Sequence, residues 1–275
     1  MLAYESTRTS LQRLGMTTAL TALDNVLEAG RTSEMKPVEI IDRLLGIEIE
    51  ARQERRVATN ISFAGLPYRR TLEEFDFDVQ PSIDRELVER LSTLRFIEEG
   101  TNVIFLGPPG VGKTHLSVAL ALRALQAGHK AYFTTMSSLV RKHRDYIKRD
   151  RADRLLSILI RPSVLILDEI GYAELDREAA TLLFDLVSAR YTRRKPIILT
   201  SNKSWGSWGE ILPDRVMASA ILDRLLHYSV TINIAGDSFR LLHHRQHGTF
   251  PGHNTGREES GAHCVAFKPA NLSHL

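Results

Sequence analysis

Residues 107 to 114 read Gly-Pro-Pro-Gly-Val-Gly-Lys-Thr and follow directly on the apolar run NVIFL. A glycine-rich turn leaves backbone N–H groups uncovered by side chains, so that they can curl around an anion. A lysine immediately afterwards makes that anion a phosphate. Gly107, Gly112, Lys113 and Thr114 fit G-x-x-x-x-G-K-T, after a strand-like run and before a helix-like one. Pro108, Pro109, Gly110, Val111 and His115 complete the cradle. Lys113 is placed to reach the terminal phosphate oxygens, and the Thr114 hydroxyl to bind Mg²⁺. The plain alternative is a Gly/Pro-rich turn with an incidental lysine.

Two further strand ends carry chemistry. VLILDE ends on Asp168 and Glu169, adjacent carboxylates whose burial without a cation or a task would be costly. Asp168 suits the Mg²⁺ shell, and Glu169 suits the base that polarises an attacking water. IILTSN ends on Asn202, a neutral amide able to orient that water. Solvated strand-end acids and a turn-forming Asn are the bland readings of each alone. Together, in this order, they predict bound ATP.

The elements needed to position these groups are legible. From about residue 71, β-rich runs (NVIFLG, KAYFTT, SVLILDE, PIILTSN, SVTINIAG) alternate with helix-length amphipathic segments. Nearly continuous apolar runs suit strands buried on both faces, which predicts an α/β doubly wound core with a parallel sheet. Residues 1–70 read as a small helical module. Leu20, Leu23, Val26 and Leu27 recur at helical spacing with Gly30 as the expected stop. Pro37 opens a second helix with Ile40, Ile41, Leu44 and Leu45 on one apolar face and Arg52, Arg55 and Arg56 on the other. Residues 71–245 hold the core, and 246–275, rich in Gly, Pro, His and Ser, are expected to be a mobile tail.

Composition narrows the classes. The 275 residues are 43% hydrophobic and 25% charged, as in ordinary globular proteins. No apolar stretch approaches the ~20 residues of a membrane span, and the start lacks a signal-like apolar core. Cys264 is the single cysteine, which excludes an internal disulfide. A cytoplasmic protein is expected. Net charge +3 and a pI near 9.0 permit a nucleic-acid partner without requiring one.

The succession GPPGVGKTHL, LILDEIGY, ILTSNK, WGSWGE, AILDRLLH and IAGDSFR resembles the IstB family, ATPase helpers of bacterial transposition related to the DnaC helicase loaders within the AAA+ ATPases. The resemblance covers most of residues 60 to 242. It implies an AAA+ P-loop core with little or no C-terminal lid. It also implies a homo-oligomer in which Arg224 reaches a neighbour's ATP as an arginine finger, and a sensor-type role for Arg240. DNA, chiefly duplex, and a transposase encoded with the protein are the implied partners. A helicase loader and a nucleotide-gated scaffold that scarcely hydrolyses ATP are the competing readings.

The segment 141–154 is rich in Lys and Arg and falls where this family lines a central channel. Arg141, Lys142, Arg144, Lys148 and Arg149 are the candidates for neutralising DNA phosphates. A solvated helix face is the alternative. RYTRRK at 190–195 is a second basic cluster, suited to subunit contacts, DNA or a helix dipole.

Overall fold

The computed structural model describes residues 2–172, 175–236 and 238–239, and opens with three helices, α1 (Leu2–Arg13), α2 (Thr17–Thr32) and α3 (Pro37–Phe63). Pro37 supplies a preset helical φ at the first position of α3, and the backbone N–H of Lys36 donates to Glu39 Oε2 at 2.7 Å. At 27 residues α3 extends ~40 Å.

Gly30 does not stop α2, which continues to Thr32. The glycine is there because α3 crosses close by: a Cβ on Gly30 would lie 2.7 Å from Ile40 Cδ1. The expected apolar face of α3 also divides. Ile40 and Leu44 are partly buried, whereas Ile41 and Leu45 join Val38 and Ile49 in an exposed stripe. The start of α2 has no side-chain cap of its own. Buried Glu48 of α3 takes that role, accepting from the N–H groups of Thr18 at 2.9 Å and Ala19 at 3.0 Å, with Arg52 and Arg55 on its other oxygen. These donors hold its carboxyl below the usual carboxylate range.

Past α3 the chain joins the sheet: Ala64 is fully buried, and its carbonyl accepts from Phe133 N–H at 2.7 Å. There follow α4 (Arg85–Ser92), α5 (Arg95–Glu99), β1 (Asn102–Leu106), α6 (Lys113–Gln126), β2 (Ala131–Thr135), α7 (Met136–Lys148) and α8 (Ala152–Ile160). The rest runs β3 (Val164–Ile170), α9 (Arg177–Thr192), β4 (Ile197–Ser201), a 3-10 turn (Trp205–Ser207), α10 (Trp208–Ile211), α11 (Arg215–His227) and β5 (Ser229–Asn233). All five expected strands form, in one parallel sheet of order β2-β3-β4-β1-β5.

Successive side chains alternate between two cores. Val103, Phe105, Val164, Ile166 and Ile198 meet α4, α5 and α6; Ile104, Leu106, Leu165, Leu167 and Leu199 meet α8, α9 and α11. At the lower edge of the second layer, fully buried Arg190 donates to the carbonyls of Leu159 and Pro196 at 2.8 Å and of Pro162 and Ser163 at 3.3 Å. Burial pulls its pKa down to about 9, still above neutrality. One cation thus ties the end of α8 to the starts of β3 and β4.

Candidate nucleotide site

The site lies beyond the carboxyl ends of β1, β3 and β4, where parallel α/β sheets place ligands. After Leu106 the chain passes close to Ile234, so that a side chain is excluded at the next residue: a Cβ on Gly107 would fall 2.2 Å from the Ile234 carbonyl. Gly112 adopts φ 98°, and a Cβ there would strike the Phe75 ring at 2.5 Å. Side chains are therefore excluded at these glycines, and the end of the loop meets the N-terminus of α6, the positive end of the helix dipole. Buried Lys113 folds back, Nζ donating to the carbonyls of Gly107 and Pro108 at 2.7 Å.

Because β4 lies between β1 and β3, a buried side chain near its carboxyl end stands between the phosphate loop and Asp168. That side chain is Thr200, which the sequence did not single out. Its hydroxyl donates to Asp168 Oδ1 at 2.5 Å and accepts from Glu169 N–H at 2.9 Å. Thr114 Oγ1 lies 3.1 Å from both Asp168 oxygens. Burial pushes the Asp168 carboxyl up, against the pull of the Thr200 and Thr114 hydroxyls and the Lys113 charge. Register along β3 and β4 is broken here: Leu167 faces Leu199 and Ile170 faces Ser201, so Asp168 and Glu169 share Thr200 as a bulge. Glu169 takes φ 63°, unusual for a residue with a side chain, and is exposed while Asp168 is buried.

These groups border a cavity of about 420 Å³ lined by residues 110–115, Glu169 and Thr200 on one side and by Tyr68, Arg70, Phe75 and Gln80 on the other. Phe75 packs edge-on to His115 with ring centroids 5.1 Å apart, and His115 Nε2 lies 2.8 Å from the Thr71 carbonyl. Phe239 reaches the rim, its N–H donating to the Gly110 carbonyl at 3.0 Å. Phosphate-binding amides at one end and aromatic and polar walls at the other suit a nucleotide. A hydroxyl and a buried carboxylate are hard oxygen donors of the kind Mg²⁺ takes together with phosphate oxygens, so Thr114 and Asp168 fit that ion.

Of the other expected residues, Pro109 is exposed on the loop. Asn202 sits one residue past β4 beside Gly171, outside the lining of this cavity, and its Oδ1 has no hydrogen-bond partner among the described residues. Arg224 does not line the cavity either. It donates to the Ala220 carbonyl at 2.7 Å, lies 5.0 Å over the Phe184 ring, and borders an open face of α11 with Arg215, Val216 and Asp223. Arg141, Lys142, Arg144, Lys148 and Arg149 are all exposed on or just after α7. Three are engaged: Arg144 pairs with Asp176, the cap of α9, at 2.5 Å, Lys142 donates to the Tyr132 hydroxyl at 2.9 Å, and Arg141 donates to the Ser138 hydroxyl at 3.0 Å. Arg240, Cys264 and the segment 246–275 lie outside the described residues. No described helix is long and apolar enough to cross a membrane.

Comparison with known proteins agrees with this geometry. The chain is 44% identical over 218 residues to the protein named for ATP binding in insertion sequence IS5376 of Geobacillus stearothermophilus, covering 79% of this chain and 86% of that one. It is 43% identical over 245 residues to its counterpart in IS21 of Pseudomonas aeruginosa, covering 89% and 92%. Among solved structures, a DNA replication initiation factor superposes with a TM-score of 0.54 at 20% identity, over 66% of this chain and 55% of that one, which supports the parallel α/β fold described above. The pattern of the IstB-like ATP binding proteins matches residues 9–247, and the chain belongs to that family.

Proposed function

We propose that this protein is an ATP-hydrolysing, DNA-binding helper of transposition that acts as a homo-oligomer, prepares target DNA and recruits the transposase encoded with it. The observation that carries the reading is the convergence of Thr114, Asp168 and Thr200 beside the phosphate loop, with Glu169 turned out by the bulge. Relatives named for insertion sequences supply the transposition context.

Loop amides and Lys113 would hold the phosphates, and Thr114 and Asp168 would hold Mg²⁺. The ion, when bound, offsets negative charge on the phosphate oxygens. Glu169, freed from the sheet and exposed, takes the proton of an attacking water, and Asn202 helps orient that water. Arg224, which does not line its own chain's cavity, serves a neighbour's ATP. The exposed basic face of α7 binds DNA phosphates, and the helices up to residue 70 serve assembly and partner contact.

The test is phosphate release with Mg²⁺, with and without duplex DNA, for the wild type and Glu169→Gln. The wild type should hydrolyse ATP faster on duplex. Glu169→Gln should keep ATP binding and lose about 10²-fold or more of turnover, since the amide cannot accept a proton. Wild-type turnover in Glu169→Gln would overturn the base assignment. Co-capture of the transposase only in the ATP-bound state would support recruitment.

A further inference from the structure

The basic cluster at residues 190–195 has no part in the site described above, and its construction is unusual. Just past α9 and its C-cap Arg193, Arg194 takes the left-handed region, φ 52°, where a glycine is normal. The turn is wedged against Gly100, on which a Cβ would lie 2.7 Å from the Arg194 carbonyl. An arginine is thus fixed where the backbone favours its absence. Its guanidinium carbon lies 3.9 Å from the centre of the Tyr228 ring, and Tyr228 stacks on His227 with centroids 4.1 Å apart. The Tyr191 hydroxyl lies 2.6 Å from His227 Nδ1, so when it donates there the imidazole carries its proton on Nε2.

Further cations surround this stack. Arg193 and Arg194 are exposed, and Lys195 donates to the carbonyls of Ile160 at 3.0 Å and Arg161 at 2.8 Å, which brings the backbone of exposed Arg161 next to Lys195. Beneath lies buried Arg190. Among the described residues none of these cations has a carboxylate partner in an ion pair. Burial lowers the Lys195 pKa, and the charges of Arg190 and Arg193 lower it further, so the group is short of negative charge. The cluster sits at the amino ends of β3, β4 and β5, the opposite end of the sheet from the nucleotide cavity.

We propose that Arg193, Arg194 and Arg161 form a second binding site for the phosphodiester backbone of DNA, separate from α7. Two features favour a nucleic-acid backbone over an acidic protein segment. Tyr228 lies between His227 and Arg194, so its stacking stiffens the guanidinium rather than offering a face to a partner's apolar side chain. The exposed groups, moreover, are chiefly cations, and the Tyr228 ring among them is flanked by Arg194 and His227 rather than offered as the anchor that protein partners use. Because Tyr228 is occupied, bases are not stacked there, and binding is indifferent to sequence. The inference rests on the reading of this protein as DNA-binding.

The test is a salt titration of full-length protein binding to a short labelled duplex of mixed sequence. Arg193→Glu/Arg194→Glu should reduce the slope of log affinity against log salt by about 1.8, at about 0.9 per lost contact, so that about tenfold less affinity is lost between ~50 and ~200 mM salt. Arg161→Glu, on a different loop, should reduce it by about 0.9 and guards against misfolding of the double variant. Nucleotide binding at the far end of the sheet should be unchanged in both. Slopes equal to wild type in both variants overturn the second site while leaving DNA binding through α7 intact. A wild type that binds no duplex overturns the DNA reading as well. Loss of polyglutamate binding with an unchanged duplex slope would reassign the cluster to an acidic protein partner.

Discussion

Asp168 is held in a state that costs the fold something. Its carboxyl is buried, and desolvation raises its pKa more than the hydroxyls of Thr200 and Thr114 lower it. For an acid so shifted, the folded state binds the proton more tightly than the unfolded chain. The stabilisation is complete below the ordinary carboxylate range and is lost as pH rises through the raised value. Near neutrality the buried, ionised carboxyl therefore costs stability, a cost that Mg²⁺ and nucleotide would offset. Asp168→Asn should melt above the wild type without nucleotide at neutral pH, with the difference shrinking in acid. The same variant should lose the Mg²⁺-dependent part of ATP binding. A thermal melt across pH decides it, and a lower melting temperature at neutrality would refute the account. Thr200 makes a second case. Its hydroxyl serves Asp168 as donor and Glu169 N–H as acceptor, so Thr200→Val removes both bonds at nearly constant volume. Turnover should fall by about 10-fold or more, as expected when the loss of a bond displaces catalytic groups. ATP affinity without Mg²⁺ should stay near wild type, and Thr200→Ser should restore most of the rate. Equal rates for Val and Ser would remove Thr200 from the mechanism.

At the scale of elements, the second layer of helices depends on a single cation. Arg190→Met would fill similar volume but leave the carbonyls of Leu159, Pro162, Ser163 and Pro196 without this donor. A loss of about 3 kcal/mol or more in urea unfolding is expected, because buried acceptors would lose their partner. The strands themselves were readable, since five runs such as VLILDE and PIILTSN can be buried only on both faces. Their order was not readable. A chain lists β4 after β3, and nothing local says that β4 inserts between β3 and β1, so the role of Thr200 could not be seen while Lys113, Thr114, Asp168 and Glu169 could. Likewise Tyr68, Phe75 and Gln80 share no spacing rule and become one wall only when the chain wraps α6. Gly30 misled for a related reason. A stop signal and a close helix crossing use the same residue, and only the position of Ile40 distinguishes them.

At the scale of the whole molecule, one chain supplies a pocket and, on another surface, an arginine that takes no part in lining it. Arg224 rests on its own helix and on Phe184, outside the cavity lined by Lys113 and Glu169. If it completes the pocket of a neighbour, activity belongs to the interface, and specific activity should rise with protein concentration. Duplex DNA should raise it at fixed protein by holding subunits at high effective concentration. The decisive version uses two inactive variants. Lys113→Ala removes the cation from the phosphate loop and keeps the finger; Arg224→Ala keeps the loop and loses the finger. Neither alone should turn over ATP appreciably. Mixed, some interfaces pair an intact loop with an intact finger, and part of the activity should return. With mixed assemblies verified by crosslinking, no recovery at any ratio would mean that Arg224 does not act across the interface, and the α11 face would then be only a surface of contact.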